Sequence, residues 1–573
     1  MRLPRSRTIA WTIGLSLAFA FRLAYGLSSN FWTEDERQVY LIGLRSYARG
    51  EWPYFGADIV WTGSQLPGAL QALLIRWPLE AWPIPEAPFL LLNLLSFGAL
   101  ALLAWYLARR LPDVPAWLIW GTLLTLPWTL NFSTHIVNTS YILPGAALFF
   151  VGFFEAAPAV RAVILPTSLA WGLMGAGLLF VVQIHMSWVL LPPYVLFAAV
   201  DLVRNDRRSA VRALLAFGAG ACVTGSLLAP TLLRFGLMAG GVDRTVEFHP
   251  LGPQMLAAIV ARFFSFTAFE TNRFIGLTTA ERLLFLWRQP WVAPSALLVT
   301  LIGIVQPVGM ALAWFRRVPG SAEWRRVKWL TTATVVWIYI SFFFSVRGPL
   351  AHAFYVVFPV AAMYTCYCWR MFAGAPGPGG TRFRAWERMA AGALAAGVLM
   401  HAGVAIDRAP RKSLYVDRGL VQTAISARND RYLGDRRDSL QQTQDRRPRA
   451  FDSVRDVDAY LRADPVADLD VVDTSWSPVG GGRISRFIVS LHNRSDSVAY
   501  LDIRYATVYS SAAGQGVAER EGVIKEILQP GESRSWNDVA DGLTPEGAAI
   551  ATFRIVSAEK CIPVKQSAGA AKT

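Results

Sequence analysis

Eleven apolar runs, each of about 16 to 25 residues, recur along this chain. A bilayer core of about 30 Å is crossed by a helix of roughly 20 apolar residues, so each run is a candidate membrane span. The composition agrees, because 54% of the 573 residues are hydrophobic and the mean hydropathy is +0.35. We therefore predict a polytopic α-helical membrane protein, with spans near 8–27, 88–108, 115–131, 140–155, 163–182, 186–203, 213–234, 290–314, 328–345, 352–369 and 389–406.

The basic loops set the expected orientation. Counting eleven spans places every Arg-rich loop on the side of the basic N-terminus, which the positive-inside rule assigns to the cytoplasm. These loops carry Arg109 and Arg110, Arg161, Arg204 to Arg212, Arg316 to Lys328, and Arg370 to Arg388. We expect a bacterial inner or plasma membrane protein whose C-terminal domain is periplasmic or extracellular. The net charge of +15 is spread over these short loops, so no nucleic-acid partner is predicted.

The chain becomes polar after the last span and ends in a segment of short strands. Residues 407–470 form an Arg- and Asp-rich connector, with one helix predicted at 453–463 and capped by Ser453. Four apolar or alternating runs follow at 483–491, 499–509, 522–528 and 549–557, separated by turn sequences. We predict three parts: a transmembrane domain (1–406), the connector (407–470) and a β-sandwich-like soluble domain (471–573).

The first non-cytoplasmic loop begins with an acidic pair, Asp35 and Glu36. Thr33 and Glu36 have the spacing of a capping box, which starts a helix and places both carboxylates in its first turn. The residues after them predict an interfacial helix on the membrane surface, with a second apolar helix near 66–76. Acidic residues are also favoured in any first turn by the helix dipole, so the pair by itself does not establish a catalytic site.

The stretch RQVYLIGLRSYARGEWPYFGADIVWTGSQLPGALQALL that follows this pair resembles the lipid-dependent membrane glycosyltransferases of superfamily C. This superfamily includes protein O-mannosyltransferases and the aminoarabinose transferase that modifies lipid A. Weaker similarity occurs at GLLFVVQIHMSWVLLPPYVLFAAVDL and VRGPLAHAFYVVFPVAAMY. The resemblance covers about residues 1 to 400 and does not include the C-terminal sandwich.

The resemblance implies an inverting transfer of sugar from a polyprenyl-phosphate donor to an extracytoplasmic glycan, lipid or protein acceptor. Asp35 would be the general base, and Glu36 would support it or bind substrate. Cationic groups would stabilise the leaving phosphate, with Arg347 and His352 as the better candidates. Arg262 and Arg273 are candidates too, although packing within the loop or contact with lipid headgroups explains them better.

One position departs from the pattern of this superfamily. Many relatives carry a second acidic residue where this chain reads NFSTHIVNTSYILP, and His135 or Asn138 would take its place as a hydrogen-bond donor to substrate. Both side chains would also suit a loop or a helix cap. No cofactor is predicted, and the residues do not support a divalent metal.

Two other functions fit a chain of many spans. A transporter or flippase of lipid-linked or polar solutes would show polar, broken helices near the bilayer midplane, whereas here the ionisable residues concentrate at the non-cytoplasmic surface. A non-catalytic cell-envelope assembly factor would leave the acidic pair without a role. No nucleotide-binding or metallohydrolase motif occurs in a suitable context.

Overall fold

The computed structural model describes most of the chain. The described residues are 5–29, 34–59, 64–157, 160–205, 207–236, 240, 245–270, 275–276, 279–316, 322–346, 348–374, 381–411, 418, 421–422, 425–426, 462–479 and 484–561. They divide into two compact units. One comprises Met1–Asp58, Ser64–Ser345 and Pro349–Arg418, and the other comprises Ile59–Gly63, Val346–Gly348 and Gly419–Thr573.

The first unit is helical. Its helices are α1 (Arg5–Ser29), α2 (Glu34–Arg49), α3 (Leu70–Ala81), α4 (Ala87–Arg110), α5 (Ala116–Thr125), α6 (Pro127–Asn131), α7 (Ile142–Ala156), α8 (Thr167–Val182), α9 (Pro192–Asn205), α10 (Arg207–Gly225), α11 (Ala229–Phe235), α12 (Pro253–Ser265), α13 (Thr279–Arg288), α14 (Ala293–Phe315), α15 (Ala322–Ser341), α16 (Phe358–Ala373) and α17 (Thr381–Arg408). Short 3-10 segments lie at Asn138–Tyr141, Met186–Leu190, Ala268–Glu270, Pro290–Val292, Phe342–Phe344, Ala351–Val357 and Ala409–Arg411. A small hairpin, β1 (Phe55–Ile59) and β2 (Ser64–Pro67), precedes α3.

Within the described residues, eight helices are long and apolar enough to cross a membrane, or nine if a bent pair is one span. The bent pair corresponds to the predicted span 213–234 and turns by 76° between its two helices. Two of the eleven predicted spans are shorter helices, α5 and α8. In the first of these, Pro127 breaks the predicted span 115–131, because proline has no N–H to continue the helix.

Arg22 of α1 donates hydrogen bonds to the backbone carbonyls at the break between α5 and α6. Its guanidinium is fully buried and donates to the Leu124 carbonyl at 2.8 Å, the Thr129 carbonyl at 3.2 Å and the Ser133 hydroxyl at 2.6 Å. Carbonyls at a helix end have no partner within the helix, so a buried end needs a donor from elsewhere. The burial of Arg22 is therefore explained by the hydrogen bonds that it supplies to these backbone carbonyls.

The helix ends that were predicted to be cytoplasmic meet at one end of the bundle. Arg110, at the end of α4, donates to Tyr106 at 3.0 Å and to Glu323, at the start of α15, at 3.1 Å. Tyr106 donates to Glu155, at the end of α7, at 2.8 Å, and Tyr367 of α16 donates to Glu323. We call this the basic end. These contacts join loops that the positive-inside rule placed on one side.

The first loop is more folded than its sequence predicts. α2 starts at Glu34, as expected, but α3 starts at Leu70 rather than at residue 66, because Ser64–Pro67 pairs as a strand. The apolar face of α2 packs against α3 and is buried by protein rather than by lipid. Gly43 allows this approach, since a Cβ there would lie 2.2 Å from Ile75 Cβ.

The described part of the second unit contains six antiparallel strands in two sheets. The strands are β3 (Leu469–Val479), β4 (Ile484–Asn493), β5 (Ala499–Ser510), β6 (Gly516–Ile524), β7 (Ser533–Leu543) and β8 (Ile550–Cys561), in the orders β3-β4-β7 and β6-β5-β8. Side chains of both sheets share one core, in which the rings of Phe487 and Phe553 lie 6.1 Å apart. The predicted sandwich is thus present, with two more strands than the sequence indicated. Ser453 and most of its predicted helix lie outside the described residues.

Candidate active site

Glu36 is buried in the first turn of α2, where only 6% of the residue is exposed. A carboxylate out of water requires polar or charged partners, and Glu36 has at least one such interaction. The N-terminus of a helix also favours a negative charge. Asp35 precedes it in the same turn, and its side chain lies outside the described part of the structure.

His135 contacts Ser29 at the end of α1, and α1 ends a few residues before the acidic pair in the chain. The Ser29 hydroxyl donates to the Tyr25 carbonyl at 2.6 Å, so it accepts from His135 Nε2 at 2.8 Å. His135 Nδ1 lies 3.3 Å from the Asn131 carbonyl. Only 8% of His135 is exposed. The predicted histidine is therefore held by hydrogen bonds and fixes the point at which the chain leaves α1.

A second histidine extends this network into the bundle. Tyr25 donates to Asn131 Oδ1 at 2.5 Å, and its ring lies between those of His135 and His401, at 5.6 and 5.3 Å. His401 Nδ1 donates to the Gly397 carbonyl at 2.7 Å, which leaves Nε2 to accept from Asn131 Nδ2 at 3.4 Å. The network ties α1 and α17 to the segment that carries His135.

The 3-10 segment Asn138–Tyr141 connects the predicted site residues. It packs against α2, which carries Glu36, and against the 3-10 segment Ala351–Val357, which carries His352. Asn138 is half-buried and its Oδ1 accepts from the Thr139 N–H at 2.8 Å, which leaves its amide NH₂ as a donor. The structure thus places Asn138 on a segment that contacts the elements of Glu36 and His352, and His135 lies three residues before Asn138 in the chain.

Tyr40 lies one turn after Glu36 on the same helix and is fully buried. Its hydroxyl donates to the Pro85 carbonyl at 3.0 Å. Burial, with added effects of Glu86 and Tyr141, raises the pKa of Tyr40 well above its usual value, and Arg418 opposes this. Arg418 and Glu86 form a two-bond ion pair at 2.6 and 3.0 Å. Tyr141, Glu86 and Arg418 therefore all surround the face of α2 that carries Glu36.

Arg262 bonds to the chain just before His352. His352 is half-buried, and its ring lies 6.0 Å from that of Phe132. Arg262 pairs with Glu270 at 3.0 Å and donates to the Pro349 carbonyl at 2.7 Å. The charge of Arg262 is thus offset by a carboxylate, and its role in binding phosphate stays a prediction. Arg273 and Arg347 lie outside the described residues.

Several residues of this region were not singled out from the sequence. Tyr25 and Ser29, with Arg22, follow one another at helical spacing on one face of α1, and this polar stripe in an apolar run is the signal that could have found them. Glu270, Tyr141 and His401 gave no comparable signal. His185, which follows α8, accepts from the Ser187 N–H at 3.1 Å and caps the segment Met186–Leu190.

No group of three or more His, Cys, Asp or Glu that could hold a metal occurs among the residues that the structure describes. No family model and no curated protein matches the sequence.

The chain is similar to solved structures at low sequence identity and at TM-scores below 0.5. ArnT from Cupriavidus metallidurans bound to undecaprenyl phosphate is 10% identical, with 73% of this chain and 78% of ArnT covered at a TM-score of 0.45. The same ArnT in the apo state is 11% identical, with 74% and 78% covered at 0.44. The arabinosyltransferase EmbB from Mycobacterium smegmatis is 11% identical, with 98% of this chain and 66% of EmbB covered at 0.36.

Proposed function

We propose that this chain is an inverting membrane glycosyltransferase, which moves a sugar from a polyprenyl-phosphate donor to an extracytoplasmic glycan, lipid or protein acceptor. The observation that supports the proposal is the buried Glu36 at the head of α2, which packs against the segment of Asn138, as does the segment of His352. Tyr40, one turn after Glu36, bonds to Pro85 just before α4 begins, whereas Arg110 of the basic end lies where α4 ends, so Glu36 lies at the opposite end of the bundle. A donor held in the membrane and an acceptor from water would meet at this surface.

Asp35 is the proposed general base. It would take the proton of the acceptor hydroxyl while the acceptor oxygen attacks the anomeric carbon. The bond from that carbon to the phosphate oxygen breaks, and the polyprenyl phosphate leaves with the electron pair. Attack from the side opposite the leaving group inverts the anomeric centre. Glu36, one residue further on, would bind a substrate hydroxyl or hold Asp35 in place.

The leaving phosphate needs positive charge or hydrogen-bond donors to stabilise it. His352 is the proposed donor within the described residues, and Arg347 and Arg273 are proposed partners from the same loops. Arg262 would act mainly as a positioning residue, because its bond to the Pro349 carbonyl holds the chain three residues before His352. Asn138 would donate to the sugar or the acceptor, while His135 holds the end of α1.

The test is sugar transfer by the full chain in lipid vesicles, with a panel of undecaprenyl-phosphate sugars and envelope glycans or lipids as acceptors. We expect Asp35→Asn to lower the rate by about 10² to 10⁴ fold, the range of a lost general base. Glu36→Gln should lower it as well. Glu51→Gln is the matched control, because Glu51 is an exposed carboxylate in the same loop.

Two results would contradict the proposal in different ways. Full activity in Asp35→Asn, with normal insertion and yield, would remove Asp35 as the base. The second result is movement of lipid across the vesicle membrane without sugar transfer, at the same rate in wild type and in Asp35→Asn. It would contradict the transferase and show that the protein is a flippase.

A further inference from the structure

Two side-chain hydroxyls in the segment Asn138–Tyr141 are buried without a hydrogen-bond partner. Ser140 and Tyr141 are both fully buried, and neither Ser140 Oγ nor the Tyr141 hydroxyl has a partner within the described structure. Leaving a buried hydroxyl unpaired costs free energy, so such groups are rare and often belong to binding sites.

Other buried tyrosines of the helical unit contrast with Tyr141. The hydroxyl of Tyr194 bonds to that of Thr334 at 2.7 Å, and the hydroxyl of Tyr364 donates to the Met310 carbonyl at 2.9 Å. Tyr106 and Tyr25 also have partners, Glu155 and Asn131. The hydroxyl of Tyr355 is also buried without a partner, so the unpaired hydroxyl sets Tyr141 apart from most, but not all, of the buried tyrosines in the described part of this bundle.

The position of Tyr141 points to the candidate active site. Its segment packs against α2, whose first turn carries Glu36, and Tyr141 acts electrostatically on Tyr40, one turn further along α2. Asn138 and Ser140 lie in its own segment, and Glu36 lies in the helix against which that segment packs. Arg418 pairs with Glu86 and so offsets that charge.

This environment selects between two kinds of ligand. A phosphate would meet like charge from Glu36, which is unfavourable in a buried site. Sugar hydroxyls are neutral and can donate to a carboxylate while accepting from a tyrosine hydroxyl. We propose that the Tyr141 hydroxyl is a substrate-binding group that hydrogen-bonds to a hydroxyl of the donor sugar. This inference rests on the proposed function.

The assignment predicts opposite effects of one atom on stability and on binding. Tyr141→Phe removes only the unpaired hydroxyl, so the ligand-free protein should be as stable as wild type or more stable. Affinity for the sugar-bearing donor should fall about tenfold, the effect of one lost hydrogen bond. Tyr194→Phe is the matched control, because its hydroxyl already has a partner: its melting temperature should fall while its affinity stays unchanged.

The experiment measures melting temperature and ligand binding of the purified full chain in nanodiscs. The probes are undecaprenyl phosphate and a panel of undecaprenyl-phosphate sugars. We expect the Tyr141→Phe variant to bind the best-bound sugar derivative more weakly than wild type does. Its affinity for undecaprenyl phosphate should equal that of wild type.

Each other result has a distinct meaning. Equal loss for both probes would place the hydroxyl on the phosphate and overturn the assignment to sugar. No loss for either probe, with wild-type binding intact, would overturn the inference and leave the proposed function standing. If wild type binds neither probe, the proposed function fails and the inference fails with it.

Discussion

The ion pair between Arg262 and Glu270 is the best-defined charged contact near the candidate site. Their side chains are 11% and 9% exposed, and two guanidinium nitrogens bond to one carboxylate oxygen at 3.0 and 3.1 Å. A buried pair of this kind is costly to break, because removing one partner leaves the other charge without compensation. The pair also leaves one guanidinium nitrogen to hold the Pro349 carbonyl.

We expect Glu270→Leu to destabilise the protein by about 3 kcal/mol, because Arg262 stays buried without its carboxylate. Adding Arg262→Met should recover most of that loss. The surface pair Arg76–Glu80 provides the control, since the charges are 20% and 36% exposed and Glu80→Gln should cost less than about 1 kcal/mol. Thermal unfolding in detergent measures all three.

The double variant also tests the role of Arg262. If Arg262 only balances the charge of Glu270, the stable double variant keeps its affinity for undecaprenyl phosphate. Loss of that affinity in a protein of normal stability would show that Arg262 acts in binding, either by contacting the phosphate or through its bond to the Pro349 carbonyl.

Residues of the candidate site differ in how visible they are in the sequence. Asp35 and Glu36 are visible because a carboxylate pair directly after an apolar span is unusual and because helix capping is a local property. The partner of His135 is not visible, since Ser29 lies 106 residues away and meets it only through packing. Glu270 is invisible for the same reason: a loop carboxylate carries no pattern until its arginine is placed.

Among elements, α7, α8 and α10 pack through glycines. A Cβ at Gly220 of α10 would lie 1.9 Å from the Gly172 carbonyl oxygen of α8, and one at Gly175 would lie 2.1 Å from the Phe217 carbonyl oxygen. Gly177 and Gly145 meet in the same way between α8 and α7. Small residues let membrane helices approach closely and gain van der Waals contact.

We expect Gly220→Ala to destabilise the bundle by about 1 to 3 kcal/mol, because the new methyl group meets backbone that cannot move aside. Gly218→Ala, on the same helix, is the control: nothing lies within 4 Å of its Cβ position, so alanine should be neutral or slightly stabilising. Melting temperatures in detergent compare the two. Equal effects would mean that α8 and α10 are not in close contact.

Element boundaries were predicted unevenly. Long apolar runs such as α4 and α14 match their predicted spans within about three residues, because length and hydropathy decide them. The break at Pro127 was missed because the apolar run continues through it, and the residue that satisfies the break, Arg22, lies in another helix. Strands β3 and β7 were missed since neither has a clear alternation of apolar residues.

For the whole molecule, the contacts at the basic end fix which loops share a side but not which compartment they face. The positive-inside rule assigns that side to the cytoplasm, because basic loops are retained there during insertion. The proposed function requires the same orientation, since the candidate site then faces the compartment that lacks nucleotide sugars. One labelling experiment therefore tests both the topology and a condition for the chemistry.

Single cysteines at three exposed positions report the orientation, after the native cysteines are replaced. Pro112 lies next to Arg110 at the basic end, Glu51 lies in the first loop, and Asp496 lies in a turn of the sandwich. We expect a membrane-impermeant maleimide to label Glu51→Cys and Asp496→Cys in intact cells or spheroplasts, and Pro112→Cys only after permeabilisation. Labelling of Pro112→Cys in intact cells would show that the protein has the opposite orientation, with Asp35 and Glu36 on the cytoplasmic face. A soluble nucleotide sugar could then serve as donor, and the reason for a polyprenyl-phosphate donor would be lost.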